Sequence, residues 1–355
     1  MKILAINPGS TSTKIAVYVN DKAVLYKNIK HSVEEIDSFT SIADQYEYRK
    51  EIIEQELIKA EVKTSDIEIV IGRGGLLKPI PSGVYEVNEA MKRDLKIGVQ
   101  GQHASNLGGL IADSIAKSLP NAKAYIADPV VVDELDDIAR ISGHPKFERI
   151  SIFHALNQKS IARTYARNIS KNYEDLNLIV VHLGGGISVG VHHHGKVIDV
   201  NQALDGEGPF SPERSGTLPV GALAKLCFSK ENSFEEVKKM ITGNGGLAAY
   251  LQTNDAIEVE KMIASGNEYA QFIFDAMAYQ VAKEIGAMAT VLKGEVDAVL
   301  ITGGLANSRG FVDKIIERIS KIAPISIYPG EDEMRALAMN ALMVANKQIE
   351  PREYV

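Results

Sequence analysis

The stretch ILAINPGSTSTKIAVYV, residues 3–19, runs from a short apolar strand through a turn of glycine and hydroxyl residues into a second, alternating strand. A similar stretch, LIVVHLGGGISVGVHH, occupies residues 178–193, where His182 takes the place of Asn7. Each stretch then reaches a hairpin turn and a third strand. The sequence therefore predicts a three-stranded meander in each half of the chain, which indicates a duplicated architecture.

The correspondence between the halves continues after the meanders. IEIVIGRGGLL at 67–77 matches VDAVLITGGLA at 296–306, and a strand ending at proline or glycine follows in each half, at 124–129 and at 325–330. Helical patterns separate these strands, which favours right-handed crossovers and a mixed sheet covered on both faces. We predict an α/β fold of two duplicated βββαβαβα domains. This pattern resembles the ribonuclease-H-like, or actin-like ATPase, superfamily of acetate and sugar kinases, heat-shock chaperones and actin, in which ATP occupies a cleft between the two domains.

The length of 355 residues favours two domains, each able to bury its own core. We place the first domain at residues 1–150 and the second at 151–333. The second half carries an insertion at about 206–264 that has no counterpart in the first. The last helix, at about 334–355, is expected to pack back on the first domain.

The composition is that of a soluble globular protein, with 45% hydrophobic and 24% charged residues. A net charge of −7 gives no long-range attraction to nucleic acid or to an anionic membrane. The first apolar run, residues 3–6, is too short for a secretory signal, and no later segment approaches a membrane span. The single cysteine, Cys227, fits a reducing compartment. We expect a cytoplasmic protein that binds neither nucleic acid nor membrane.

The two glycine turns predict phosphate binding, because glycine allows a backbone N–H group to approach a phosphate oxygen closely. Neither turn is a Rossmann fingerprint or a Walker motif. An ordinary hairpin is the alternative for either turn alone. The candidate phosphate-binding residues are Ser10, Ser12 and Lys14 in the first turn and Gly184, Gly185 and Gly186 in the second.

A third glycine-containing turn, ITGGLANSRG, follows a later strand of the second half. Gly303 and Gly304 would allow close approach of adenosine or its ribose, and Asn307 would supply polar contacts. The alternative is a plain strand-to-helix turn capped by Asn307 or Ser308.

Fixed positive charge is needed wherever an anionic acceptor meets an anionic nucleotide. Arg73 lies in the turn GRGG after a strand, and Arg214 lies in the loop FSPERSGTLP. Solvated surface arginines are the alternative, but the flanking glycines and the strand-end position favour function. A carboxylate acceptor is already deprotonated at neutral pH and needs no base, so the neutral Asn7 would suffice beside the moving phosphoryl group.

Histidines and acids complete the candidate site. His103, His154 and His182 lie at loops or element ends, and His182 is the best candidate because it stands at the second glycine turn. A structural histidine is the alternative for each. Asp128 and Glu333 follow the paired third strands, where metal-bound phosphates could meet them. Helix capping is the alternative for the run GEDE, and the sequence does not choose among residues 331–333.

The motifs are INPGSTSTK, IGRGGLL, GQHASN, the tripeptide Ala127-Asp128-Pro129, IFHALNQKSIAR, VVHLGGGISV, SPERSGTLP and ITGGLANS. Taken together, they resemble the acetate kinase family, in its butyrate kinase branch. The resemblance covers nearly the whole chain in order. Acetate kinases themselves usually carry Ala after the Asn, His-Gly after the substrate arginine, and Asn inside the second turn. Pro8, the run GRGGLL and Gly185 stand at those places, which favours the butyrate branch.

The resemblance implies reversible, direct in-line transfer of a phosphoryl group from ATP to butanoate, giving ADP and butanoyl phosphate, with Mg²⁺ and a homodimer or larger homo-oligomer. Arg73 would bind the acyl carboxylate and Arg214 would stabilise the moving phosphoryl group. The remaining implied roles are phosphoryl oxygen binding by His182, Asn7 and Lys14, turn hydroxyls at Ser10 and Ser12, magnesium organisation by Asp128 and Glu333, and support from His154 and His103.

Three other readings stay open on the sequence. The acceptor could be a branched acid such as isobutyrate, or acetate or propionate, since one or two methylene groups change binding by only about 1 to 3 kcal/mol. A nucleotide-gated ATPase module of the same fold would need a water-activating acid where Asn7 stands. A sugar or glycerol kinase would also need that acid.

Overall fold

The computed structural model describes residues 1–355, apart from the side chains of Val33 and Asp37. The chain divides into two compact units. Unit 1 comprises Met1–Val132 and Asp332–Val355, and unit 2 comprises Asp133–Glu331. Among the described residues, no helix combines the length and the apolar character that crossing a membrane requires.

Unit 1 is built on a six-stranded mixed sheet with strand order β3-β2-β1-β4-β6-β5. Strands β1, β4 and β6 are parallel to one another, and the other pairings are antiparallel. The strands are β1 (Lys2–Pro8), β2 (Ser12–Val19), β3 (Lys22–Lys30), β4 (Ile67–Arg73), β5 (Val84–Glu86) and β6 (Lys123–Ala127). Its first four helices are α1 (Val33–Asp37), α2 (Tyr46–Lys59), α3 (Glu89–Ile97) and α4 (Leu107–Ser118).

Helix α4 packs unusually closely on strand β4, and this contact fixes where the strand ends. A Cβ atom at Gly72 would lie 2.2 Å from the carbonyl oxygen of Gly108, and a Cβ atom at Gly108 would lie 2.2 Å from the carbonyl oxygen of Arg73. Only glycine fits at both positions. The close packing positions the backbone of Arg73 at the carboxyl end of β4.

Unit 2 contains a five-stranded sheet with strand order β11-β10-β7-β8-β9. Its strands are β7 (Asn177–Leu183), β8 (Ile187–His193), β9 (Lys196–Val200), β10 (Ala298–Gly303) and β11 (Ile325–Pro329). Its helices are α5 (Asp137–Arg140), α6 (Ala155–Asn168), α7 (Val220–Phe228), α8 (Phe234–Ile241), α9 (Gly246–Leu251), α10 (Ala256–Ala264), α11 (Glu268–Val291) and α12 (Arg309–Ile319).

The central strand of unit 2 is apolar on both faces because helices cover both sides of the sheet. Ile179 and Val181 of β7 belong to the core formed with α11 and α12, while Leu178 and Val180 belong to the core formed with α6. Alternate residues of a strand point to opposite faces, so a continuous apolar run is what such a position requires. The mixed α/β class predicted from the sequence is confirmed.

Final helix α13 (Glu333–Ala345) belongs to unit 1, where it packs against β1 and β4. The two sheets share one topology. In each sheet the spatial order is the third, second, first, fourth and last strand of the repeat. Unit 1 adds the short edge strand β5 and helices α1 and α3, which the predicted βββαβαβα pattern omitted. In unit 2, helices α7 to α10 lie between β9 and α11, inside the insertion predicted at about 206–264.

The compact units change after Val132, whereas the sequence placed the change near residue 150. Side-chain contacts join residues 133–150 to the rest of unit 2. Arg149 Nη1 lies 2.9 Å from Asp199 Oδ1. The ammonium group of Lys159 lies 2.6 Å from the Glu134 carboxylate. Such side-chain contacts leave no signal in local sequence patterns, which is why the difference arises.

Candidate functional site

In unit 1, two predicted site residues lie together at the carboxyl ends of adjacent parallel strands, and a third, Glu333 at the start of α13, contacts both. Asn7 is the last residue but one of β1 and lies next to Arg73 at the end of β4, because Ile6 pairs with Gly72. Arg73 Nη1 lies 3.1 Å from Glu333 Oε1. It also lies 3.5 Å from Asn7 Oδ1.

The amide nitrogen of Asn7 donates to the Glu333 carboxylate, so the amide and the guanidinium hold the same acid. The Arg73 side chain remains 25% exposed, and only its Nη1 group has an acceptor among the described residues. Its Nε and Nη2 donors therefore face no protein acceptor. A planar guanidinium with unused donors suits a carboxylate or phosphate ligand.

The three acids that the sequence left undecided occupy different positions. Glu333 begins α13 and contacts Arg73. Asp332 is the N-cap of that helix and accepts from the backbone N–H of Arg335 at 2.9 Å. Glu331, in unit 2, lies 3.7 Å from Nε2 of His182.

Asp128 follows β6 and is buried, with a left-handed φ of 37°. Its Oδ1 atom accepts from the Ser82 hydroxyl at 2.6 Å and from the Gly83 backbone N–H at 2.9 Å. The visible task of this carboxylate is thus to fix the loop before β5. A role in organising a metal stays a prediction.

The first glycine turn joins β1 to β2 and is closed by a hydrogen bond from Gly9 N–H to the Ser12 carbonyl at 2.7 Å. Ser10 is exposed, while Ser12 and Lys14 lie half-buried at the start of β2. Lys14 is paired with Asn7 across the two strands. The predicted hydroxyl and ammonium groups therefore surround one turn.

In unit 2, His182 is the last residue but one of β7, beside the second glycine turn, and is almost fully buried. Its Nδ1 atom lies 2.9 Å from Oδ1 of Asn157. An amide oxygen only accepts, so Nδ1 carries the proton. Nε2 of His182 can then donate to a ligand only when the ring is protonated.

A chain of hydrogen bonds orients the second histidine of this site. The Tyr173 hydroxyl donates to Nδ1 of His192 at 2.6 Å. Nε2 of His192 in turn donates to Oε1 of Gln158 at 2.9 Å. Gln158 donates to the Ser188 hydroxyl at 2.8 Å, and that hydroxyl oxygen lies 2.9 Å from Nδ1 of His154. Burial lowers the pKa of His192 well below its usual value, so this ring is neutral.

His154 and His182 stack with their ring centroids 3.8 Å apart. Because Nδ1 of His182 carries the proton, Nε2 of the neutral His182 ring is an acceptor.

Arg214 lies against the second glycine turn. Its Nη1 group donates to the Ala203 carbonyl, and a Cβ atom at Gly186 would lie 1.8 Å from Nη1. Nε of Arg214 is buried and has no acceptor among the described residues. Burial lowers the pKa of Arg214, with Glu213 opposing the shift. Ser211 supports the same turn by donating to the Gly185 carbonyl at 2.6 Å.

The third predicted turn follows β10. Gly303 has a φ of 96° and exchanges two backbone hydrogen bonds with Gly330, at 3.1 and 2.9 Å. Gly304 and Asn307 are exposed. The Asn307 amide donates back to the Gly304 carbonyl at 2.9 Å, and Ser308 is the N-cap of α12. Local capping is therefore present, and adenosine binding at this turn stays a prediction.

His103 precedes α4, and its Nδ1 accepts from the backbone N–H of Ser105 at 3.2 Å. Three residues further on, buried Asn106 accepts from the Leu76 backbone N–H at 2.8 Å. Asn106 thereby fixes the turn that follows Arg73. The motif GQHASN thus positions the arginine turn through its asparagine, while His103 serves visibly as a cap.

Several site residues were missed by the sequence analysis. Asn157 and Gln158 follow His154 by three and four positions on one helix, a spacing that could have marked them as neighbours. Arg49 contacts the first glycine turn from α2, and no sequence pattern marks it.

The strand order shared by the two sheets is that of the actin-like ATPase fold. The acetokinase family model matches residues 149–341. Butyrate kinase 2 and butyrate kinase 1 of Clostridium acetobutylicum are each 54% identical over 353 residues, 99% of this chain and 99% of each relative. The crystal structure of acetate kinase from Porphyromonas gingivalis superposes with a TM-score of 0.80 at 18% identity, covering 97% of this chain and 99% of that one.

The chain belongs to the acetokinase family. It is therefore a kinase that phosphorylates a carboxyl group, and family membership implies ATP and ADP as its nucleotides.

Proposed function

We propose that this protein is a butyrate kinase, which transfers a phosphoryl group reversibly between ATP and butanoate. The observation that carries the proposal is the 54% identity to two butyrate kinases over 99% of the chain. The proposal is supported by the neutral Asn7 beside Arg73, since a carboxylate acceptor needs no general base.

In the proposed reaction, an oxygen of the butanoate carboxylate attacks the γ-phosphorus of ATP in line. The bond from that phosphorus to the bridging oxygen breaks, and ADP leaves with the bond electrons. No proton has to be removed from the acceptor. Arg73 would bind the carboxylate through its Nε and Nη2 donors, while Glu333 and Asn7 hold the guanidinium in place.

The residues around the second glycine turn would stabilise the moving phosphoryl group. Arg214 brings a half-buried positive charge with an unused Nε donor. His182 would donate from Nε2 once the ring is protonated, because Asn157 accepts its Nδ1 proton. Removing one preorganised donor from an oxyanion-binding site costs about 3 to 4 kcal/mol of transition-state stabilisation in a hydrolase. Exclusion of water would keep the acyl phosphate from hydrolysis.

Mg²⁺ would complete the nucleotide site. No group of three or more His, Cys, Asp or Glu side chains among the described residues could hold a metal alone. Mg²⁺ commonly takes one or two carboxylates and fills its remaining positions with phosphates and water. Glu333 and Asp128 are the acids we assign to it, and the ion would neutralise charge on the nucleotide phosphates.

We also propose that the protein works in the cytoplasm as a homo-oligomer. Helix α7 supports self-association, because none of its nine residues is buried although its sequence, VGALAKLCF, is almost entirely apolar. Val220 and Phe228, at its two ends, are 79% and 87% exposed. An apolar helix without a covering partner is typical of a contact surface.

The test is ATP-dependent acyl phosphate formation, trapped as the hydroxamate. Acetate, propionate, butyrate, isobutyrate and valerate are compared, with glycerol and an acceptor-free reaction as controls followed by ADP release. We expect butyrate to give the highest kcat/KM and water to give no turnover. Preference for isobutyrate or acetate would reassign the substrate within the family. ADP release without an acceptor would support an ATPase and reject the proposal.

A further inference from the structure

Arg49, on α2, is a buried arginine that points its guanidinium at the first glycine turn. It is 1% exposed, and all of its donor nitrogens have acceptors. Nη1 donates to the carbonyls of Gly9 at 2.7 Å and Ser12 at 3.2 Å, and Nη2 donates to the carbonyl of Ser10 at 3.0 Å. Nε and Nη2 donate to the Gln45 side chain at 3.2 and 2.8 Å.

These contacts decide which way the backbone of the turn faces. In a trans peptide unit the C=O and N–H groups point in opposite directions, and the chain has no cis peptide bond among its described residues. Since the carbonyls of Gly9 and Ser10 point to Arg49, the N–H groups of Ser10 and Thr11 point away from it. Both residues are exposed, and neither N–H has an acceptor among the described residues.

The guanidinium also brings charge. Among the described side chains, no carboxylate lies within salt-bridge distance of Arg49, which distinguishes it from the buried Lys159 paired with Glu134. Burial lowers the pKa of Arg49 to about 10, so the group stays charged at neutral pH. A buried charge without a counter-ion is unfavourable for stability alone. An anion on the far side of the turn would offset that unfavourable term.

We propose that Arg49 is a positioning residue for nucleotide phosphate. It holds the N–H groups of Ser10 and Thr11 outward as an anion cradle and supplies the positive charge behind them. This inference rests on the proposed function only in that a nucleotide is the ligand. The expected ligand group is the β- or γ-phosphate, because adenosine without phosphate has nothing for these donors to bind.

The test compares ADP with adenosine, in the absence of any carboxylic acid. Dissociation constants are measured calorimetrically for wild type, Arg49→Met and Arg49→Lys, with melting temperatures in parallel. We expect Arg49→Met to weaken ADP binding by about ten-fold or more and to leave adenosine binding unchanged. Arg49→Lys keeps the charge but offers fewer donors, so it should recover part of the ADP affinity.

Lys159→Met is the matched control, since it removes another buried cation and should lower the melting temperature without changing the ratio of the two affinities. Equal weakening of ADP and adenosine by Arg49→Met, or no weakening of ADP, overturns the proposal. If Arg49→Met does not fold, the decision rests on Arg49→Lys alone. A ratio of the dissociation constants for ADP and adenosine equal to that of wild type then overturns the proposal.

This experiment is independent of the acceptor. If the wild-type protein binds ADP but phosphorylates no carboxylic acid, the proposed function fails while the Arg49 test still gives its answer. If the hydroxamate assay succeeds and the ADP to adenosine ratio is insensitive to Arg49, only the present inference fails.

Discussion

At the scale of single residues, the two site arginines have unused donors and should be needed for turnover rather than for folding. We expect Arg73→Ala and Arg214→Ala each to lower kcat/KM by about 100-fold or more. Arg73→Ala should raise KM for the acid more than KM for ATP, because Arg73 is assigned to the carboxylate. Steady-state kinetics and circular dichroism check both effects.

The control for the arginine variants is Arg140→Ala. Arg140 makes a two-pronged ion pair with Asp133 at 2.7 and 2.8 Å. It is not part of the candidate site, so its loss should leave turnover within about two-fold. Near-normal kcat/KM in Arg73→Ala or Arg214→Ala would reject the role given to that residue.

The second glycine turn offers a sharper test at the same scale, because neighbouring glycines differ in what surrounds them. A Cβ atom at Gly186 would lie 1.8 Å from Arg214 Nη1, whereas one at Gly185 would meet only the end of Glu213, at 3.2 Å. We expect Gly186→Ala to displace Arg214 and to reproduce most of the kinetic defect of Arg214→Ala. Gly185→Ala should be milder.

Both alanine variants are measured by kcat, KM and melting temperature, and the double variant Gly186→Ala with Arg214→Ala is added. If Gly186 acts through Arg214, the double variant should be no slower than Arg214→Ala. A defect in Gly186→Ala that adds fully to that of Arg214→Ala would show that the glycine serves another purpose.

At the scale of elements, the sequence predicted strands well where alternation and apolar runs are strong. β1, β2, β7 and β8 follow directly from the repeated stretch. The contact of Arg73 with Glu333 joins residues 260 positions apart, and Glu333 lies on α13 rather than at the end of a strand of the same sheet, so no sequence pattern anticipates it. Strand β5, with only three residues, was missed because so short a segment carries no periodic signal.

Arg49 shows the opposite limit of sequence reasoning. Its acceptors in the glycine turn are mostly backbone carbonyls, which every residue type has, so no partner residue marks the contact. On α2 it reads as one charge among many on a solvated helix. The direction in which a helix face points is set by tertiary packing, and only the structure reveals it.

The junction of β2, β3 and α2 also predicts a dependence of stability on pH. His31 follows β3, is 6% exposed, and lies 2.8 Å from Thr13 Oγ1 through Nε2. Burial and the charge of Arg49 lower the pKa of His31 from 6.5 to about 4, while Glu35 opposes the shift. The imidazole of His31 therefore becomes protonated near pH 6.5 in the unfolded chain, but only near pH 4 in the folded chain.

The stabilising contribution of neutral His31 is thus complete above pH 6.5 and is lost as the pH falls towards 4. Between neutral pH and pH 5 the loss should be about 2 kcal/mol. Urea unfolding midpoints of wild type and His31→Gln, measured at both pH values, test this. The variant should lose less stability on acidification, whereas His144→Gln, on an exposed loop, should behave as wild type. Parallel losses in wild type and His31→Gln would contradict the prediction.

At the scale of the whole molecule, the repeated topology gives each unit a glycine turn between its first two strands and a cationic group beside it. In unit 1 these are the turn at 9–12 with Arg49 and, in unit 2, the turn at 184–186 with Arg214.

The chain carries a net charge of −7, so it does not attract anions at long range. Binding of two anionic substrates must therefore depend on these local charges, and we expect nucleotide affinity to change little with moderate salt, because buried charges are screened less than exposed ones.

Helix α7 makes the last prediction, on the state of assembly. Its apolar side chains have no partner that buries them, and Phe228 at its end is 87% exposed. If α7 is a contact between copies of the chain, Phe228→Asp places a charge in an apolar interface, where an unpaired charge is strongly unfavourable. We expect this variant to be monomeric, or to dissociate at a concentration at least about ten-fold higher than wild type. Light scattering after size exclusion, over a dilution series, measures it. Ile58→Asp is the control, since Ile58 is 72% exposed on α2 of unit 1 and its change should leave the assembly intact. Equal masses for wild type and Phe228→Asp at every concentration would rule out α7 as the contact.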